Sequence, residues 1–222
     1  MRLVVGLGNP GERYASTRHN VGWRVLDELA ARHAAREAAP GAGYRWRRAL
    51  VAGRELGLLQ PLTFMNASGE ALRAWRERND REEDLLVVSD DVYLPLGTLR
   101  VRAEGSSGGH RGLDSIEAAV GGVDYARLRI GVGAPRAPIR EDGSGTGPAE
   151  SSAALREHVL EEFAPEELPA LEEAVRRAAD AVESWVAEGA LGAMNRFNRR
   201  GDPEHPSEGM GPGRVRQEES ET

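Results

Sequence analysis

The sequence predicts an α/β fold, a single three-layer domain whose twisted, mostly parallel mixed sheet is flanked by helices. Two observations carry this expectation. Apolar, β-branched runs of strand length recur at residues 2–7 (RLVVGL), 84–91 (DLLVVSDD) and 125–133 (YARLRIGVG), and windows of helical periodicity separate them. The 222 residues fit one core of this kind rather than two.

The elements follow in order. After the first strand, residues 21–35 place Val21, Val25, Leu26 and Leu29 on one helix face, with Asn20 as a natural N-cap. A loop at 36–43 leads to strands at 44–52 and 54–60. TFMNASGEALRAWRER, 63–78, then turns into a helix for which Asn66 is an N-cap candidate. The strand at 84–91 ends in Asp90 and Asp91, and 98–103 alternates as an edge strand. EGSSGGHRGL, 104–113, is a glycine-rich loop opening a helix at 113–120. From Ala134 to about Ser152 the chain turns to Pro, Gly, Ser and charge, which predicts a mobile surface loop that gates the cleft. Helices are expected at 165–188 and 191–198. The domain therefore spans 1–200, and 201–222 reads as a disordered polar tail.

The net charge is −7, yet all 29 basic residues are arginine. An acidic total argues against indiscriminate nucleic-acid binding while leaving a local basic patch open, and any bound phosphate must be held by arginine. Cysteine is absent, and the five histidines form no H-E-x-x-H pattern, so no metal or other cofactor is expected. No run is long and apolar enough for a membrane span and no leader peptide is visible, which predicts a cytoplasmic protein without membrane partners.

GLGNPG, residues 6–11, satisfies G-x-G-x-x-G directly after a strand. A dinucleotide site would need the next helix to begin at once, so that the pyrophosphate sits on its N-terminus. Here Pro10 and further loop residues intervene, and Asp27 and Glu28 fall inside the helix rather than at the end of a second strand. The glycines instead let the backbone carry Asn9 close to a ligand beyond the strand's carboxyl end. The same loop delivers Tyr14, Arg18, His19 and Asn20.

GLGNPGERYASTRHNVGW resembles the N-terminal signature of bacterial peptidyl-tRNA hydrolases. PLTFMNASGEA, SDD followed by LPLG, SSGGHRGL, RLRIGVG, HVLEEF and AMNRFN resemble that family's later blocks in the same order, over roughly residues 1–199. The resemblance implies a metal-independent, monomeric esterase that cleaves peptidyl-tRNA and contacts its acceptor end and 5′-phosphate. Ester hydrolysis needs a water, a base for its proton and donors for the tetrahedral oxyanion. His19 is the best base in the chain, because imidazole titrates near neutrality. Asp90 matches the family's supporting aspartate, and strand alternation turns Asp91 the other way.

By the same resemblance Asn9 distinguishes a blocked from a free α-amine, and Asn66 contacts substrate. Tyr14, Phe64 and Met65 line the substrate wall, and His110 is a further contact. Arg102 and Arg129 match a pair that clamps the tRNA 5′-phosphate, with Arg100 and Arg127 as neighbours. Arg111 departs from the asparagine the family commonly carries there and cannot accept a hydrogen bond. That departure is the feature that favours the alternative, a catalytically weak RNA-binding paralogue. His33, His158 and His205 read as surface residues.

Overall fold

Each apolar run in the first two-thirds of the chain becomes a strand of one sheet in the computed structural model, which describes residues 1–39, 41–79, 83–135 and 152–198. In chain order the elements are β1 (Arg2–Gly6), α1 (Val21–Arg32), β2 (Arg36–Glu37), β3 (Tyr44–Val51), β4 (Arg54–Pro61), α2 (Ser68–Arg78), β5 (Asp84–Asp91), β6 (Leu99–Arg102), α3 (Arg111–Val120), β7 (Ala126–Gly131), α4 (Ser152–Val159) and α5 (Leu168–Phe197). The sheet order is β2-β3-β4-β1-β5-β7-β6. The four central strands β4, β1, β5 and β7 run parallel, and β2, β3 and β6 extend the two edges antiparallel.

Alternation in β1 divides the core. Val4 pairs with Leu58 and Leu86 and faces α1 and α5, whereas Val5 pairs with Leu59 and Val87 and faces α2 and α3. Both faces of the strand are covered, which is why its sequence is continuously apolar. Trp185 of α5 anchors one layer and Trp75 of α2 the other, both almost fully buried. Since α1 and α2 follow β1 and β4 on opposite faces, a crevice is left beyond the carboxyl ends of β1 and β5. Open α/β sheets bind ligands at such a point.

The approach of α1 to β1 depends on glycine. A Cβ on Gly22 would lie 2.6 Å from the backbone N and O of Leu7 and 2.7 Å from the carbonyl of Val88. Backbone on every side cannot yield, so Gly22→Ala is expected to lower stability by about 1–3 kcal/mol. Urea unfolding reads this directly, and an unchanged midpoint would mean that the helix can lift from the strand at no cost.

Three features differ from the sequence expectation. Helix α4 occupies residues expected as loop and irregular chain, and it packs against the segment carrying His19. The two expected C-terminal helices form one element, kinked at Gly189, whose φ of 80° suits a residue without Cβ. Just beyond it, Asn198 both accepts from the N–H and donates to the C=O of Val101, capping the exposed edge of β6. Residues 136–151 of the expected gating loop, and the tail from 199 that includes His205, lie outside the described residues.

Candidate active site

The loop after β1 is held by amide chemistry. Asn20 accepts from the backbone N–H of Asn9 at 2.8 Å and donates to its C=O at 3.0 Å. Asn20 does stand at the N-cap position of α1, but its side chain makes no cap bond because Asn9 uses both ends of it. The Oδ1 of Asn9 in turn accepts from the N–H of Met65 at 2.8 Å. That bond fixes which way the carboxamide lies and leaves the Nδ2 donors of buried Asn9 for the cavity it lines.

Arg18, which the sequence offers as a chemical group, turns inward instead. It forms a fork with Glu167 at 2.6 and 3.2 Å, donates to the carbonyl of Val132 at 3.2 Å and stacks on Phe163. This buried guanidinium ties the His19 segment to the start of α5. Burial pushes the Glu167 carboxyl up, but bonds from Arg18 and the N–H of Ala164 more than offset it and hold it below its ordinary value. A depressed carboxyl contributes stability above its unfolded pKa, about 4.3, which is lost as pH falls through the folded value. Glu167→Gln should therefore lower stability by about 1 kcal/mol at pH 7, with the difference from wild type shrinking in acid. Urea midpoints at neutral and acidic pH check this, and a pH-independent difference would contradict it.

At the end of β5, Asp90 meets the two histidines and Asp91 does not, although both line the cavity beside them. Asp90 Oδ1 lies 2.7 Å from His19 Nδ1 and 2.9 Å from His110 Nε2. Asp91 accepts from the N–H of Tyr93 and pairs with Arg129 at 3.1 Å. Burial pushes the Asp90 carboxyl up, and the facing His19 and His110 rings more than offset this, holding it well below the usual carboxylate range. His110 is also the N-cap of α3, its Nδ1 accepting from the N–H groups of Gly112 and Leu113 at 3.1 and 3.3 Å. Its proton is therefore on Nε2 and is donated to Asp90. With Asp90 accepting from His19 Nδ1 as well, His19 Nε2 is the ring nitrogen left for the cavity.

His19, Asp90 and His110 each offer a ligand atom within 4.8 Å of the others. The donor set nevertheless fits a metal poorly. His110 could coordinate through Nε2 only by losing a proton that its two backbone donors prevent from moving to Nδ1.

Two adjoining cavities meet at His19. One, of ≈ 260 Å³, is lined by Asn9, Tyr14, Phe64, Met65 and Asn66, with Arg111 and Arg156 at its border. The other, of ≈ 470 Å³, is lined by Asp90, Asp91, Tyr93, His110 and Arg129, and shares Arg111 and Arg156 with the first. A larger hollow of ≈ 1070 Å³ along β2 and β3 contains none of the expected site residues. Asn66 is exposed at the cavity and is not the expected N-cap, since a 3₁₀ turn over Met65–Ala67 precedes α2 and moves the cap position to Ala67.

The expected arginine pair is only partly gathered. The β6–β7 register sets Arg100 opposite Arg129 and Arg102 opposite Arg127, which puts all four on one face. Arg129 is engaged by Asp91 and the carbonyls of Ser106 and Ser107, Arg127 is buried against Tyr125, and Arg102 lines neither cavity. His158 is buried rather than on the surface, with its Nε2 2.9 Å from the Gly133 carbonyl, because α4 packs there. Arg156 is the contributor that sequence reasoning did not place in the site, while Arg18 and Asn20, which the expected loop delivers, brace the site rather than line it.

A sequence model described as peptidyl-tRNA hydrolase matches residues 3–205. A peptidyl-tRNA hydrolase of Chloroflexus aggregans is 43% identical over 200 residues, covering 89% of this chain and 99% of its own. One of Rubrobacter xylanophilus is 46% identical over 204 residues, covering 88% and 99%. The crystal structure of peptidyl-tRNA hydrolase from Acinetobacter baumannii superposes with a TM-score of 0.77 at 29% identity, covering 90% of this chain and 95% of that one.

Proposed function

The chain belongs to the peptidyl-tRNA hydrolase family and is a hydrolase of the peptidyl-tRNA ester, and from that premise we propose that His19 acts as its general base under the control of Asp90. The observation that carries this reading is the 2.7 Å contact between His19 Nδ1 and buried Asp90, which leaves His19 Nε2 to take a proton. Water held by Nε2 gives up its proton and attacks the ester carbonyl. Asp90 stabilises the imidazolium that forms. The oxyanion receives a hydrogen bond from Asn9 Nδ2 while Asn66 orients the substrate, and collapse expels the ribose oxygen, which recovers the proton from His19. Free peptide and tRNA result, returning tRNA to translation.

The smaller cavity, with two carboxamides and the rings of Tyr14 and Phe64, takes the peptidyl part. Because Asn9 presents only N–H donors there, it favours an amide carbonyl over a free ammonium, which is the basis for requiring a blocked α-amine. The arginine face of β6 and β7, with Arg102 and Arg129, supplies the contact to the tRNA 5′-phosphate. The RNA-binding alternative rests on Arg111, but Arg111 takes no part in the His19–Asp90–His110 network and leaves the catalytic pair intact. In this reading the enzyme works as a cytoplasmic monomer; among the described residues no helix is long and apolar enough to cross a membrane.

Asn9→Asp tests the assignment sharply, because the new carboxylate still accepts from the Met65 N–H while the cavity loses its donor. Cleavage of N-acetyl-aminoacyl-tRNA is expected to fall about 100-fold, and the preference over free aminoacyl-tRNA to narrow. Wild-type rate and selectivity in this variant would refute the donor role.

A further inference from the structure

We propose that Arg111 reads the phosphodiester immediately 5′ to the terminal adenosine of the substrate, so that this chain recognises a charged group one ribose away from the ester it cleaves. The inference rests on the functional reading above. Arg111 is the first residue of α3, exposed, and lines both cavities that contain His19. Among the described residues it has no hydrogen-bond or ion-pair partner. Its neighbours in the larger cavity are otherwise committed, Arg129 to Asp91 and Asp90 to the two histidines. Glu70 and Asp114, which share an adjoining groove with Arg111, make no ion pair with it.

An unengaged guanidinium beside the reacting centre has two candidate anions, the developing oxyanion and a substrate phosphate. An oxyanion donor must be fixed before the reaction, as Asn9 is by Met65 and Asn20. Arg111 has no such tether. A long cation without fixed partners suits capture of a permanent charge through a two-pronged contact. Every peptidyl-tRNA brings one such charge next to its ester, whatever its peptide. The larger cavity sets Arg129 and Arg156 against Asp90 and Asp91, so that Arg111 leaves its lining positive, and the exposed ring of Tyr93 offers a face for a base.

The test compares two N-acetyl-aminoacyl esters, one on the 3′-hydroxyl of adenosine and one on the dinucleotide CpA, which adds one phosphodiester together with a cytidine. Wild type should show kcat/KM about tenfold or more higher for the CpA ester. In Arg111→Gln that ratio should collapse toward one, and Arg111→Lys should restore part of it. Binding of a non-hydrolysable CpA amide should lose about 0.7 of its log–log salt slope in Arg111→Gln. No preference for CpA in the wild type, or an equal loss on both esters with the ratio retained, would overturn the inference. Failure of the wild type to cleave N-acetyl-aminoacyl-tRNA itself would instead overturn the functional reading.

Discussion

Replacing Asp90 by asparagine is expected to slow single-turnover cleavage of N-acetyl-aminoacyl-tRNA by about 10²- to 10⁴-fold. The carboxylate accepts from two rings through one oxygen, Oδ1. Asparagine is close to isosteric but brings an N–H₂ group. Turned toward His19, that group would bond Nδ1 as an acceptor and force the proton onto Nε2, the atom that must take it from water. The same substitution has a reading outside catalysis. Asp90 is held below its ordinary value by the histidines that face it, so its contribution to stability is complete above the unfolded pKa of about 3.9 and is lost as pH falls through the folded value. Asp90→Asn should flatten that part of the acid dependence of unfolding. An Asp90→Asn enzyme within a few-fold of wild type would show that His19 works without it.

β1 and β5 were legible because short, continuously apolar runs suit strands covered on both faces, and at the end of β5 strand alternation was legible too. It also separates Asp90, which meets the histidines, from Asp91, which goes to Tyr93 and Arg129. Residue type was a weaker guide wherever a side chain has two uses. Asn20 looks like a helix cap and stands at the cap position, yet its amide is taken by Asn9. Arg18 looks like a ligand-binding cation and is buried against Glu167, a partner 149 residues away whose presence no local pattern reveals. Asn66 fails as a cap because the 3₁₀ turn before α2 moves the cap position to Ala67.

The joint role of His110 lay furthest from sequence. A histidine in a glycine-rich loop signals nothing about its tautomer. Only its contacts with two backbone N–H groups on one side and Asp90 on the other fix the proton on Nε2. The placement of α4 is similar, since a short helix beside a polar segment has little periodicity to announce it. Its packing nevertheless buries His158 and brings Arg156 to both cavities.

The account stands on one proton transfer, and the direct measurement is single-turnover hydrolysis of N-acetyl-aminoacyl-tRNA by wild type and His19→Ala, with a chelator present. His19 touches the site through Nδ1 to Asp90 and presents Nε2 to the cavities, so alanine removes the base while leaving Asn9, Asn66 and the arginines in place. The wild type should cleave fully in chelator and the variant about 10²- to 10⁴-fold more slowly, with tRNA binding retained. Cleavage by His19→Ala within a few-fold of wild type would contradict the general-base role of His19.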